Sequence, residues 1–287
     1  MRITGVDRVI FVVNIIFIVF VVLLCIVPFI YTLSISLTSE DAFNRNGITL
    51  IPSEFSLDAY KTLFQDGERL LISYMNTIFI TVVGTALSLA LMAGWAYPLS
   101  KLDLPFRKCF LGYLLFSMLF SGGLIPFFLV VKNIFGLYNS IWAMILPYCF
   151  GSWNCILMKN FFQAIPESLE EAAQLEGANE LQILIKIVLP LSKSIIATIT
   201  LFTAVTVWNA WYGSLLFITD TNKQPIMMYL KEMTSAIQSG TGSPGQDVPT
   251  QAFQMAVVVA CMLPIICIYP FLQKYFAKGV MVGSVKG

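Results

Sequence analysis

Histidine is absent from the 287 residues. That removes imidazole acid–base catalysis, histidine metal ligation and histidine proton relays together. The dipeptide Gly-Lys is absent as well, so the chain has no P-loop and does not bind ATP in that way. Charge is scarce: Asp, Glu, Lys and Arg make up 11%, against about 25% in an ordinary soluble chain. The net charge of +1 gives no sign of an affinity for nucleic acid. Apolar residues fill the gap, at 57%. A soluble protein of this length has too little interior to hide so much, and several uncharged stretches exceed about 18 residues. This composition describes an integral membrane protein. Disorder, a secreted disulfide scaffold and a cytosolic enzyme are excluded. Cys25, Cys109, Cys149, Cys155, Cys261 and Cys267 lie within or beside apolar stretches. None has disulfide or metal-ligand spacing, so they read as small buried hydrophobes, and no metal site is expected.

Uncharged apolar runs predict six transmembrane helices in an all-α, single-domain chain covering 1–287. They fall at about 9–31, 70–98, 109–131, 140–158, 194–219 and 251–273. The first is too long for a signal-peptide core, and no small-residue cleavage site follows it. Between the spans lie two long loops on one side, 38–69 and 220–250, and one on the other, 159–193. Arg2, Arg8, Lys101, Arg107, Lys108, Lys159, Lys186, Lys193, Lys274, Lys278 and Lys286 all fall on the side of the termini. The positive-inside rule then predicts both termini in the cytoplasm, with the short basic loop Lys101–Lys108 weighing most. The Gly-, Ser- and Pro-rich stretch 235–251 reads as a flexible external loop.

No charged residue lies inside these six runs. Ion- and proton-coupled carriers usually need buried ionisable groups, so a stand-alone secondary transporter is the weaker alternative. It remains open, since backbone carbonyls and half-helices also bind ions. The spans hold no carboxylate pair, nucleophile–base pair or metal cluster, which argues against an enzyme. Uphill transport would need energy from another subunit. Trp208, Asn209, Trp211 and Tyr212 form the clearest polar and aromatic group. Tyr148, Trp153 and Asn154 form a second, and Tyr74 and Asn76 a third. Aromatic rings beside amides suit a sugar, which has apolar ring faces and many hydroxyls. The competing reading is an interfacial aromatic belt with amides bonding between helices.

The 159–193 loop carries the sharpest signal. Pro166 suits the start of a helix, and Glu167, Glu170 and Glu171 suit its positive end. Leu169, Ala172, Ala173 and Glu176 recur at helical spacing, giving one short apolar face. Gly177 permits a sharp turn after it. A second helix over about 179–188 would lead to Leu189-Pro190 and the fifth span. Small alanines on such a helix let another protein approach its backbone. The alternative, an amphipathic helix on the membrane surface, sits poorly with its acidic character beside a negative leaflet.

The pattern E-A-A-x3-G-x9-I-x-L-P runs without a gap through Glu171, Ala172, Ala173, Gly177, Ile187, Leu189 and Pro190. It resembles the signature of permease subunits in binding-protein-dependent ABC importers. Ser121–Pro126, the Asn209/Trp211 region and the tail Val280–Gly287 are similar to the carbohydrate-uptake branch, the shorter permease of the maltose type. The resemblance covers essentially the whole chain. It implies the type I ABC importer permease fold and uptake of a carbohydrate, an oligosaccharide, driven by ATP hydrolysis elsewhere. It implies a heterodimer with a second homologous permease, two P-loop ATPase subunits and an extracytoplasmic solute-binding protein, all at a bacterial cytoplasmic membrane. ATP and Mg would bind the ATPase, with no cofactor in this chain. The resemblance also assigns ATPase coupling to Glu171, Ala172, Ala173, Gly177, Leu189 and Pro190. It gives Ser284, Val285, Lys286 and Gly287 a contact with the ATPase dimer. Trp153, Asn154, Trp208, Asn209, Trp211 and Tyr212 remain candidates for the sugar pathway.

Overall fold

A computed structural model describes residues 5–65, 67–239 and 250–284. In chain order its α-helices are α1 (Gly5–Ser36), α2 (Glu40–Asn46), α3 (Asp58–Gln65), α4 (Gly67–Ser100), α5 (Arg107–Leu119), α6 (Leu124–Leu129) and α7 (Ser152–Phe162). They continue with α8 (Glu167–Leu175), α9 (Glu180–Ile183), α10 (Leu189–Leu191), α11 (Lys193–Trp208), α12 (Tyr212–Phe217), α13 (Ile226–Ser239) and α14 (Gln251–Ser284). Among the described residues the only extended pairing is an isolated bridge between Thr38 and Phe55. The chain divides into two compact units, Met1–Leu70 with Leu230–Pro264, and Leu71–Tyr229 with Ile265–Gly287.

In the first unit, α1 is apolar on every side and none of its most apolar stretch is buried within the chain. Lipid or another subunit must cover it, since water would not. The 38–69 segment, expected as a loop, is folded. Ser39 caps α2 by accepting from the Ala42 N–H at 3.3 Å, and its own N–H donates to the Glu54 carbonyl. Arg45 pairs with Glu54 at 2.7 Å. Ser36 and Tyr60 share a hydroxyl bond of 2.9 Å. An ion pair between Arg69 and Glu232 ties the start of α4 to α13. Residues 226–239 of the second expected loop are therefore helical, and its stretch 240–249 lies outside the described residues.

The second unit shows where hydropathy overestimated continuity. The expected span 109–131 is two helices, α5 and the segment Leu124–Ile134, bent by 110°. The break falls at Phe120-Ser-Gly-Gly123, where paired glycines are poor helix formers. The span 140–158 begins as two 3-10 turns, Ile141–Met144 and Leu146–Tyr148, then bends by 48° into α7, which runs on to Phe162. Pro147 prevents a regular helix there. The span 194–219 breaks between α11 and α12 at Asn209, the C-cap of α11, whose side-chain amide donates to the Val205 carbonyl at 2.8 Å. The last span is longer than expected: α14 continues past 273 to Ser284, through Gly279 and Gly283. A glycine costs a helix only about 1 kcal/mol, and the chain is helical up to Ser284. Val285, Lys286 and Gly287 lie outside the described residues.

Cysteine burial also differs from expectation. Cys155 and Cys261 are buried, but Cys25, Cys109 and Cys267 are exposed on apolar helix sides. A lipid-facing wall accepts a thiol as readily as a core does. The main core of the second unit packs Met92, Ala96, Tyr97 and Leu99 of α4 against Leu114, Met158, Phe162, Ile183, Val188 and Ile199. It lies directly beside the 159–193 segment. Ile80, Met144, Ile145 and Ile218 form a separate cluster toward the other end of α4.

Candidate functional site

The sequence of α8 fixes both of its ends. Pro166 is held at φ −58° before the first turn, with Glu167 and Glu170 at the positive end of the helix dipole. At the other end Gly177 takes φ +86°. The Ala178 N–H reaches the Ala173 carbonyl and the Gly177 N–H the Gln174 carbonyl, both at 2.9 Å, which is a Schellman stop. Asn179 and Gln182 then close a capping box and start α9. A π-turn over Leu184–Val188 and α10, opened by Leu189-Pro190, lead through an 84° bend into α11.

A Cβ on Gly177 would meet nothing within 4 Å. Gly177→Ala is therefore a pure backbone-strain change, expected to cost about 1–2 kcal/mol. A lowered thermal midpoint in detergent would show it, and an unchanged one would mean that the stop is not strained.

The expected apolar face of α8 divides differently from the prediction. Leu169, Ala172 and Glu176 point outward, as does Leu175, which is 91% exposed. Glu171 lies on the same open side. Ala173 alone of the predicted face packs against the core, and the inward residue beside it is Glu170, only 6% exposed. Thus the small apolar face is a free surface, and a carboxylate holds the helix down.

Glu170 forms an ion pair with Lys101, just past the end of α4. The Tyr97 hydroxyl, one turn earlier, lies 2.6 Å from a Glu180 oxygen and 3.2 Å from a Glu170 oxygen. Gln174 donates to the other Glu180 oxygen at 3.0 Å. The Lys101 ammonium also sits 5.0 Å from the centre of the Tyr97 ring, within cation–π range. Arg107 donates to the Leu99 carbonyl at 3.0 Å and caps α4. Around this cluster opens a cavity of about 640 Å³, lined by Asp103, Glu167, Glu171 and Leu181 among others. Its excess of carboxylates favours a cationic visitor.

The cluster escaped the sequence reading because Tyr97, Lys101, Glu170 and Glu180 are remote in the chain. The one available signal was Tyr97 and Lys101 at helical spacing at a span end. Of the expected coupling residues, Leu189 packs against the core while Pro190 is exposed.

The candidate sugar-path residues are only partly brought together. Trp211 and Tyr212 meet edge to face at 5.6 Å between centroids. Trp208 is buried at 7% exposure, Asn209 is spent on its own helix end, and Trp153 stands 60% exposed at the start of α7 with Asn154 half-buried. Asn76 donates to the carbonyls of Asn222 and Gln224, at 2.8 and 3.2 Å, and so anchors the segment before α13. A Cβ on Gly213 would lie 3.1 Å from Met144 Sδ and 3.2 Å from Tyr148 Oη, so the absence of a side chain lets α12 reach the 3-10 turns.

Residues 86–282 match the family described as the binding-protein-dependent transport system inner membrane component. The chain belongs to that family. Among its similar proteins is the polygalacturonan/rhamnogalacturonan transport system permease protein YtcP of Bacillus subtilis (strain 168). It is 44% identical over 279 residues, covering 94% of this chain and 96% of that protein. Protein LplC of the same organism is 44% identical over 291 residues, covering 100% and 98%. A crystal structure of a bacterial ABC transporter involved in the import of the acidic polysaccharide alginate has a chain 33% identical to this one. It covers 95% of this chain and 98% of its own, with a TM-score of 0.86.

The fold is that of a type I ABC importer permease, as the motif in the 159–193 loop implied. The chain is thus an inner membrane component of an ABC importer, and the alternative of a stand-alone secondary transporter falls.

Proposed function

We propose that this permease takes up an oligosaccharide that contains uronic acid, powered by ATP hydrolysis in a partner. The observation that carries the mechanism is α8: a capped, Schellman-stopped helix whose small apolar face and Glu171 are open while Glu170 fastens it inward. Such a helix is built to be gripped from outside. In this reading a P-loop ATPase subunit receives Leu169, Ala172 and Leu175 in a groove, and a basic side chain there pairs with Glu171. Gly177, Leu189 and Pro190 set the angle at which α8 leaves the spans. ATP and Mg stay with the ATPase.

The family's description supports a solute-binding protein as a partner. A more distant alginate transporter chain, of TM-score 0.57, comes from a complex with a pentasaccharide-bound periplasmic protein. We assign the second permease position to a different but homologous subunit, a pair of ATPases to the cytoplasmic side, and both termini of this chain to that side. The six spans make one transmembrane domain, with breaks in the third to fifth. Ser284–Gly287 lie at the ATPase dimer. Trp153, Asn154, Trp208, Asn209, Trp211 and Tyr212 line the sugar's route, where Trp211 and Tyr212 present an edge-to-face aromatic pair.

The acidic substrate class rests on the relatives, because polygalacturonan and alginate are both polymers of uronic acids. With no charged side chain in the six apolar runs of the sequence, their carboxylates would meet amide and hydroxyl donors there. The test is purification of the complex from its own membrane, cross-linking mass spectrometry, then uptake into vesicles. Galacturonan and alginate oligomers should enter with ATP and the binding protein, and cross-links should join the ATPase to α8 and the chain end. Uptake of neutral maltodextrins alone would overturn the acidic assignment. Uptake without any ATPase would overturn the mechanism.

A further inference from the structure

We propose that Tyr97 and Lys101 are positioning residues of the coupling step, a polar clasp that makes the docking helix α8 and its neighbour α9 move with the span α4. The proposal rests on the assignment of α8 as the ATPase-docking helix.

Among the described residues, the cores of the second unit hold α4, α7, α9 and α11 together through many large side chains. From α8 the same core receives only Ala173. One methyl group gives little grip, because burial scales with apolar area. What fixes α8 is polar: the buried Glu170 carboxylate on the Lys101 ammonium, with the Tyr97 hydroxyl 3.2 Å away. A force applied to the open face of α8 therefore enters the spans at Glu170. It meets α4, an unbroken helix of 34 residues, whereas the third to fifth spans are bent or interrupted. An uninterrupted helix passes displacement along its length, and broken ones absorb it at their joints.

Gly177, between α8 and α9, is the joint at which that force could be lost. Two bonds pin it. Tyr97 lies 2.6 Å from Glu180 on α9, and Gln174 on α8 donates to the same carboxylate at 3.0 Å. A hydroxyl has one proton, so Tyr97 donates to the nearer Glu180, and Lys101 supplies the charge that lets Glu170 stay close. Two carboxylates and one ammonium form a closed set only while α8, α9 and α4 keep this spacing. Separation of α8 from α4 would strand Glu170 without its counter-charge.

The experiment uses the complete complex in lipid vesicles and reads sugar imported per ATP hydrolysed. Tyr97→Phe removes one hydroxyl and keeps the ring, so assembly and thermal midpoint should hold while sugar per ATP falls about tenfold, the worth of one hydrogen bond to a charged group. Lys101→Arg should keep the ratio, Lys101→Glu should lose it, and Lys101→Glu with Glu170→Lys should recover it. Glu171→Ala is the control for the docking assignment. If Glu171→Ala is defective while Tyr97→Phe and Lys101→Glu keep the parental ratio, the clasp is overturned and docking stands. If Glu171→Ala imports sugar and hydrolyses ATP normally, the docking assignment itself fails. Failure of Tyr97→Phe to assemble would also overturn the proposal, by showing the hydroxyl to be structural.

Discussion

Glu171→Ala is expected to leave the permease inserted and folded while removing most substrate-stimulated ATP hydrolysis and sugar uptake. The side chain lies on the open side of α8, at the rim of the acidic cavity, so its loss creates no hole and strands no buried partner in this chain. Its cost appears only in the complex. Truncating one member of a hydrogen-bonded charge pair at an interface costs about 2–5 kcal/mol, much of it from the charge left behind on the partner. That corresponds to about thirtyfold weaker docking or more. Hydrolysis measured on reconstituted complex with binding protein and sugar reads the effect directly. Unchanged uptake together with unchanged hydrolysis would remove Glu171 from the coupling step.

The neighbouring substitution should behave in the opposite way. Glu170→Ala deletes a carboxylate that is 6% exposed and leaves Lys101 without its ion-pair partner. Breaking a buried pair by removing one member costs about 3–5 kcal/mol, and the Lys101 side chain, 25% exposed, recovers part of that through water. A loss of folding stability toward the lower end of that range is expected, seen as a lowered thermal midpoint and poor yield in detergent, before any assay of transport. Replacing both Glu170 and Lys101 with methionine should regain much of the midpoint, because two apolar groups of similar length need no counter-charge. That doublet would still lack the clasp. An unaltered midpoint for Glu170→Ala would show that α8 is held by something other than its carboxylate. Two adjacent glutamates of α8 thus separate folding from coupling.

The motif alone could not assign those two roles. E-A-A marks Glu171 by its place beside two alanines, and Glu170 reads as one more acid in the first turn of a helix. Their difference is one of helical phase relative to a core that lies elsewhere in the chain. The same limit explains the apolar stripe on α8: spacing identified a face, but not whether it looked toward the core or away from it.

The spans show a similar division. The apolar runs read from hydropathy are largely helical among the described residues, because the cost of exposing backbone polar groups to lipid forces long apolar runs into helices. Hydropathy could not tell a straight helix from a bent one, since glycine and proline leave its mean nearly unchanged while interrupting the hydrogen-bond ladder. Hence α4 was legible as a single span, and the breaks at Gly122-Gly123, Pro147 and Asn209 were not.

The sequence by itself determined that this is a membrane protein, all helical, and that its 159–193 segment carries an importer motif. Each of these depends on composition or on residues within one helical stretch. The tertiary structure alone decided which side of α8 is free, which glutamate is buried, and that Tyr97, Lys101, Glu170 and Glu180 meet. Those facts depend on packing between segments some 70 to 80 residues apart in the chain, as the sequence separations of the Tyr97 contacts to Glu170 and Glu180, 73 and 83, show. Local periodicity sets which face a helix can bury, and only the neighbours that fold against it settle which one it does.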